Sequence, residues 1–387
     1  MALHTFDPWL PEDWSGPVVQ KIQQLSAIEA LARREPMSTQ SKHVPRSGGM
    51  GMDILARGDA YTEDSNTDDE VLLTAQKFGR AISLAEEDLA DSANLVNILD
   101  VKRLDWATSY AKAFDNACIG TNAAQSVAAD RPFTSLYRTV RTSDSGMGYT
   151  ADANYVLAGD NLGAVTFTDA GDIVTFNQPH GLVIGDRVVP GTITSTTGIT
   201  AGTTYYVLTV PSTTTVTLSA TLGGSTLALT TNGSAISMTN LGVTYSSLSR
   251  VVGLYEQGDW FDPSMTAVIA APSFKQYVRD VKDTQQRPIF QEGIGGQDDL
   301  LFGYPVRWSL GARVSSAASP APSGNPLLVI GNRDLLIVGD RSGPESFVAD
   351  GATGVGFSTD ETKLKVRARR AFAVGAPQGF AVLEAAA

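Results

Sequence analysis

Residues Ser92–Gly120 read SANLVNILDVKRLDWATSYAKAFDNACIG, the longest helical pattern in the chain. Leu95, Ile98, Leu99, Trp106, Tyr110, Ala113, Phe114 and Ala117 recur at three- and four-residue steps, the spacing of one face of an α-helix. Lys102 and Arg103 interrupt that stripe. Ser92 can cap the first turn by accepting an amide hydrogen bond, and Gly120 suits the left-handed position that closes a helix. At ~1.5 Å per residue the segment would run about 40 Å, enough to cross a domain. It is expected to be the spine around which the other segments are arranged.

Composition bounds what this spine can belong to. The 387 residues are 42% hydrophobic and 18% charged, so the chain can bury substantial cores, and its length favours two or three domains. A net charge of −12 argues against wrapping nucleic acid with the whole surface, because phosphate binding rests on clustered Lys and Arg. The single cysteine, Cys118, rules out an intrachain disulfide framework, and its place on the spine marks a packed thiol rather than a nucleophile. The N-terminus has no basic region followed by an apolar run, and no stretch of about 18 apolar residues occurs. The chain is therefore expected to be made and kept in a cytoplasm, with no membrane partner.

Upstream of the spine, Met1 to Gly16 is rich in Pro and Trp and reads as an extended arm that Trp9 and Trp14 could anchor. Pro17 suits the first turn of a short helix carrying Val18, Ile22 and Leu25, ended by Pro36. Met37 to Ile82 reads as a long two-stranded excursion, with strand residues around Thr39 to Arg46 and a return from Val71 through Ala81. Its tip holds Gly48, Gly49, Gly51 and Gly58 and an acidic run, Glu63, Asp64, Asp68, Asp69 and Glu70, with no base between Arg57 and Lys77. An excursion of that length without its own core is expected to find support on a neighbouring chain.

Downstream, Thr121 to Arg141 is mixed, and Ser143 to Asn154 has linker composition. From Asn161 to Thr244 the chain turns to Thr, Val, Gly and Ser in short runs such as VTFT, DIVTF, DRVV, TTYYVLTV and TVTLSA. That is the signal of a small antiparallel sandwich or barrel, expected here as an inserted, outward-facing, autonomously folding β domain. Helical periodicity returns through Leu248, Val251, Val252 and Tyr255. TAVIAA is a buried strand, and Pro272 opens a helix carrying Phe274, Tyr277, Val278 and Val281. Ser315 to Pro326 is expected to be a mobile loop. LLVIGN, LLIVGD, ESFVAD, KLKVRARRAFAV and FAVLE then form a closing set of strands, so the class is α+β. In KLKVRARR, Lys363, Lys365, Arg367 and Arg369 alternate with Leu364, Val366 and Ala368, which puts four cations on one strand face.

Catalytic signatures are sparse. His4, His43 and His180 fall in an arm, a strand edge and a turn, with no His or Cys pair at metal-ligand spacing. Neither a G-x-S-x-G elbow nor a P-loop occurs, and Gly351 to Gly356 is better read as a hairpin turn than a dinucleotide fingerprint. Acidic pairs such as Asp298 with Asp299 are usually just solvated. No catalytic residue, cofactor or metal is expected.

The order of segments resembles the major capsid protein of tailed double-stranded DNA bacteriophages, with the Hong Kong 97 type fold. ISLAEEDLADSANLVNILDVKRLDWA looks like that family's approach to the spine, and AVIAAPSFKQYVRDVKDTQQRPIFQ like its axial strand, helix and turn. LLFGYPVRWS is similar to a recurring leucine, glycine, any residue, proline, valine signature, in which Gly303 makes the turn and Pro305 opens the next strand. HGLVIGDRV, His180 to Val188, with ITAGTTYYVLT, looks like a β-module of phage structural proteins. The resemblance implies an N-terminal arm at 1–36 and an extended loop at 37–82. It implies a peripheral domain with the spine at 83–120 and 327–387, an axial domain at 121–160 and 245–326, and the inserted β domain at 161–244.

It further implies a shell subunit that assembles as hexamers and pentamers around a phage genome. The expected partners are the chain itself, a separate scaffolding protein, a portal, a decoration protein, and packaged double-stranded DNA bound without sequence specificity. The expected location is the virion, with the host cytoplasm during assembly. Scaffolding is assigned to a separate protein because only Met1 to Gly16 precedes the first helix. No lysine lies between Lys42 and Lys77, which disfavours covalent joining of neighbours through the loop. Two alternatives are a tail or fibre adhesin, which would use the Thr-rich module but needs no spine, and a carbohydrate-active enzyme with a β accessory domain. Because the family lays its extended loop on a neighbour, Glu63, Asp64, Asp68, Asp69 and Glu70 are expected to approach Lys363, Lys365, Arg367 and Arg369 of the next chain.

Overall fold

A computed structural model describes residues 25–47, 52, 54–57, 59–61, 69–87, 98–281, 288–293, 297–349 and 360–385. Residues 1–24 of the arm, Ser92, Leu95, Glu63, Asp64, Asp68 and the turn at 351–356 lie outside the described residues.

The spine helix is described from Ile98 to Ile119. Its two halves differ. Leu104 is exposed and Trp106 only partly buried, whereas Tyr110, Ala111 and every residue from Phe114 to Ile119 are buried, polar Asp115 and Asn116 included. A single apolar stripe therefore describes the first half, and the second runs through the interior. Trp106, Tyr110 and Phe114 form an i, i+4 aromatic ladder with ring centroids 5.2 and 5.7 Å apart, met by Phe78 and Phe133. Gly120 closes the helix without the expected left-handed backbone, since it is absent from the positive-φ residues. It is needed for approach instead: a Cβ there would lie 2.0 Å from the Arg313 carbonyl oxygen.

Two sheets flank the spine. One has four strands in the order Arg33–Pro36, Leu336–Ala349, Glu361–Val374, Gln76–Ala85, the first pair parallel and the others antiparallel. Leu364, Val366 and Ala368 are buried, while Lys363, Lys365, Arg367 and Arg369 alternate with them on the opposite face. The other is a seven-stranded mixed sheet in which Thr266–Ala270, Leu327–Asn332 and Phe380–Glu384 are neighbours. The last two strands, grouped by sequence with the closing set, thus pair beside TAVIA. Their nearly continuous burial requires cover by packed elements, and helices Leu136–Val140 and Tyr245–Glu256 both lie against Phe380–Glu384. Helix Tyr245–Glu256 buries Leu248, Val251, Val252 and Tyr255 on this sheet, capped by a reciprocal Thr244–Ser247 box. The spine's buried half and both sheets contribute to one apolar core.

A nine-stranded sheet between Asp160 and Asn240 has a separate core that includes Val165, Phe167, Val174, Val188, Val207, Val216 and Leu218. Its first and last strands, Asp160–Asn161 and Met238–Asn240, pair with each other, so the chain enters and leaves at one place. A two-stranded hairpin, Ser41–Arg46 with Asp69–Thr74, pairs only with itself but packs Leu73, Val44 and Val71 on Ile337, Ala371 and Ala373 of the four-stranded sheet, which the returning chain joins at Gln76.

Several local expectations change. Pro17, Val18 and Ile22 lie outside the described residues; the first described helix is Ala27–Leu31, Leu25 before it is exposed, and Pro36 ends a strand. Phe302 and Gly303 both have positive φ and make the tight turn, with Pro305 as the second residue of Tyr304–Trp308. Ser143 to Asn154 is a folded turn around buried Tyr149, whose hydroxyl donates to the Val140 carbonyl at 2.8 Å, rather than a linker. The irregular segment 315–326 is tied down: the Ser315 hydroxyl and the Ser319 amide both donate to the Asn116 side-chain oxygen, and Ala318 N donates to the Asp130 carbonyl.

Candidate subunit interface

The basic strand emerges from the sheet with most of its charge partly matched inside the chain. Arg367 pairs with Glu345 at 3.0 Å, and Lys363 approaches Glu361 at 3.8 Å. Lys365 and Arg367 lie over the Phe347 ring, 5.2 and 4.7 Å from its centre. Arg369 stands directly opposite Lys77 of the neighbouring strand. All four cations remain at least partly exposed, so the face is a charged surface with an aromatic floor.

The described end of the acidic run is engaged within its own hairpin. Asp69 faces Arg46 across the two strands and pairs with it at 2.5 Å, and Arg46 reaches Asp144 at 2.8 Å. The hydrogen bond from Arg46 holds the Asp69 carboxyl below the usual range. Glu70 meets His43 at 2.7 Å. Asp69 and Glu70 therefore brace the hairpin within their own chain. Cross-strand pairs of opposite charge are a local consequence of register, which an acidic run viewed in one dimension conceals.

Behind the interface lie three buried charged groups that sequence reading missed. Arg370, the one residue of KLKVRARR to turn inward with a charge, is held by Glu29 at 2.9 Å, by Asp340, and by the Ser342 carbonyl at 3.0 Å. Glu29 also accepts from the Tyr110 hydroxyl, which ties the first helix, the spine and the sheet together. Asp115 accepts from Ser26 Oγ, Ser309 Oγ and the amides of Ala27 and Ile28, so it caps the helix Ala27–Leu31 from inside the spine. Burial pushes the Asp115 carboxyl up, against the pull of those donors. Glu384 accepts from Tyr137, Tyr155 and Asn325, and Arg141 donates to the Tyr137 hydroxyl. Burial, then the bond to Glu384, pushes the Tyr137 phenol up to about 12. The only available signal for these groups was polarity inside strongly apolar stretches, such as AFDNAC and FAVLE.

Other chemistry is scarce. Cys118 is buried and its thiol is pushed well above the ordinary value by burial. His180 makes a turn, with Nδ1 accepting from the Leu182 amide at 2.9 Å. Among the described residues no group of three His, Cys, Asp or Glu side chains is placed to hold a metal ion. No described helix is long and apolar enough to cross a membrane.

No protein-family model and no curated protein matches the sequence. Solved structures do. A chain of Mycobacterium phage Ogopogo aligns over 99% of this chain and 99% of its own, with a TM-score of 0.58 at 14% identity. A chain of Mycobacterium phage Bobi covers 97% and 96%, with a TM-score of 0.57 at 12% identity. The capsid of an empty GTA particle, computed with C5 symmetry, covers 98% and 97%, with a TM-score of 0.54 at 13% identity. The chain has a capsid-protein fold. The match is nearly end to end in both directions, so the likeness spans the chain rather than one borrowed module.

Proposed function

We propose that this chain is the major capsid protein of a tailed double-stranded DNA phage or a related particle, with a Hong Kong 97 type fold, assembling as hexamers and pentamers into an icosahedral shell. The observation that carries the reading is the full-length likeness to phage chains and to a GTA capsid, one of them computed with C5 symmetry. The role is structural rather than catalytic, and the site of action is the virion, reached by assembly in the host cytoplasm. Scaffolding, portal and decoration proteins would join it, with packaged DNA held without sequence readout. Electron microscopy of the overexpressed chain, alone and with its neighbouring gene products, tests this. Closed shells are the expected result. Elongated trimeric particles would favour the fibre-adhesin alternative and overturn the capsid reading.

Within that shell, the acidic run of one subunit meets the basic face of the next. The acids proposed are Glu63, Asp64, Asp68, Asp69 and Glu70 and the bases Lys363, Lys365, Arg367 and Arg369; because Asp69 and Glu70 also pair with Arg46 and His43 in their own hairpin, the test is placed on the other three acids. Exposed pairs contribute only ~0 to 1 kcal/mol each, so the contact acts as a salt-sensitive network. Reversing Glu63, Asp64 and Asp68 to Lys should block assembly at low ionic strength, and reversing Lys363, Lys365 and Arg367 to Glu in the same chain should partly restore it. Normal assembly of the first variant would remove the contact.

A further inference from the structure

Where the hairpin joins the four-stranded sheet, a cleft of about 300 Å³ is lined by Gln40, Ala75, Gln76, Lys77, Arg341 and Arg369. It holds three cations, and no carboxylate among the described residues lines it. Lys77 and Arg369 are directly opposed in the antiparallel ladder, so both side chains leave on the same face. Like charges in that position destabilise a sheet. Arg341 adds a third positive charge, and its Nη1 is buried without a hydrogen-bond partner, although a buried charged donor is costly to leave unsatisfied.

The acids on the adjoining strands do not relieve this cluster. Asp340 is held by Arg34 and Arg370, Glu345 by Arg367, Glu361 by Lys363, and Glu35 by Lys42 and Arg33. In a chain of net charge −12, three adjacent cations without a described counter-charge are an exception that calls for an external anion. Two guanidinium groups, an ammonium and two carboxamides match a tetrahedral oxyanion, which offers several acceptor oxygens to planar Arg donors.

We propose that this cleft is a phosphate site, taking a phosphate group either free in solution or in a nucleic-acid backbone. The site joins Gln40 and Ala75 at the foot of the hairpin to Lys77, Arg341 and Arg369 of the sheet, so its occupancy adds a polar tie to the apolar contact of Leu73 and Ala75 with Ile337, Ala371 and Ala373. The proposal does not depend on the capsid reading.

The test is thermal unfolding of the full chain in phosphate and in chloride at matched ionic strength, with a phosphorus NMR titration of inorganic phosphate. In chloride, Lys77→Gln should melt at or above wild type, because a repulsion has been removed. In phosphate the order should reverse, because a ligand has been lost. Lys77→Gln and Arg341→Gln should each weaken phosphate binding about tenfold. Arg250→Gln, exposed on helix Tyr245–Glu256 beside the seven-stranded sheet, should leave the crossover intact. A single-stranded oligonucleotide that binds wild type, is displaced by phosphate and fails on both cleft variants would identify backbone phosphate as the source; phosphate binding without oligonucleotide binding would identify the free ion. Equal melting in the two salts, or binding unchanged in both cleft variants, would overturn the proposal. So would an acidic peptide of residues 62–70 that holds the cleft against saturating phosphate, since the cleft would then be a protein contact.

Discussion

In the body of the molecule Asp115, Arg370 and Glu384 are buried and fully engaged, whereas the buried polar residues of the nine-stranded unit are His180, Ser219 and Asn240, all outside the Asp, Glu, Lys and Arg set. The two regions also differ in how far apart their partners lie. Ser26 reaches Asp115 across 89 positions, Tyr137 reaches Glu384 across 247, and Glu29 reaches Arg370 across 341. Within the nine-stranded unit, neighbours such as Val165–Thr168 with Ile173–Phe176, and Tyr205–Ser212 with Thr215–Ser219, follow one another through short turns. Bringing distant segments together costs loop-closure entropy and leaves many wrong pairings open. Directional contacts to a buried charge discriminate among those pairings, because each wrong arrangement strands a charge in the interior. The unit's other pairings, such as Val165–Thr168 with Gly233–Ala235 and Asp160–Asn161 with Met238–Asn240, are longer but stay within one segment, and an apolar core is sufficient to hold them.

The largest expected effect separates the two cores. Phe114 is 0% exposed and sits between Tyr110, Phe78 and Phe133. Phe114→Ala should destabilise the body by about 3–5 kcal/mol, and Leu218→Ala should destabilise the nine-stranded unit by about 2–5 kcal/mol. In calorimetry each substitution should move one transition and leave the other in place. Trp106→Ala should cost less than Phe114→Ala, since Trp106 is only partly buried on the outer half of the spine. If either core substitution lowers both transitions equally, the regions unfold as one and the comparison fails.

A smaller effect probes the buried charge itself. The folded-state pKa of Asp115 is raised by burial from its ordinary 3.8. A raised folded value means that its contribution to stability is fully present below 3.8 and is lost as pH rises through the higher folded value. The difference between wild type and Asp115→Asn, read on the body transition, should therefore shrink as pH climbs from about 3.8. Asp186 in the nine-stranded unit is also pushed up by burial, so the unit's own transition must be excluded from the reading. A difference that instead grows with pH would show that the four donors hold the folded carboxyl ionised, and a pH-independent difference would show that burial and the donors cancel.

These contrasts also explain what was legible in the sequence. Periodicity exposed the helices at 98–119 and 245–256, the buried strand at 266–270, the strand run of the nine-stranded unit, and the alternation of Lys363, Lys365, Arg367 and Arg369. All of these follow from side chains within a few positions of one another. The reading missed whatever depends on partners far away. Asp69 and Glu70 looked free until their strand was laid beside Arg46 and His43, and Gly120 looked like a left-handed cap until Arg313 came close. Arg370 carries no local sign that Glu29 will find it. The order of segments resembled a capsid protein and the fold comparison agrees, while the pairing of strands Leu327–Asn332 and Phe380–Glu384 with Thr266–Ala270 required the structure.

The effect expected to be smallest is the most demanding of the comparison. Asp160 pairs with Asn240 and Asn161 with Thr239, so the ends of the nine-stranded unit lie about 4.5–5.5 Å apart at Cα. A short Gly/Ser link from Asp160 to Asn240 can therefore close the gap. The cut must stop short of Thr244, which the earlier boundary at 161–244 would have removed, because its hydroxyl accepts from the Ser247 amide and opens the helix Tyr245–Glu256. With that cap intact, the shortened body should unfold within ~0.5 kcal/mol of the full chain, as expected when no core contact is lost. The excised segment should show its own cooperative β-type transition, because its apolar cluster is complete without the body. A shortened body that loses several kcal/mol, or an excised unit that stays unfolded, would mean that the two cores support each other across the crossing at 157–160 and 240–244, and that buried charge is not what divides the molecule.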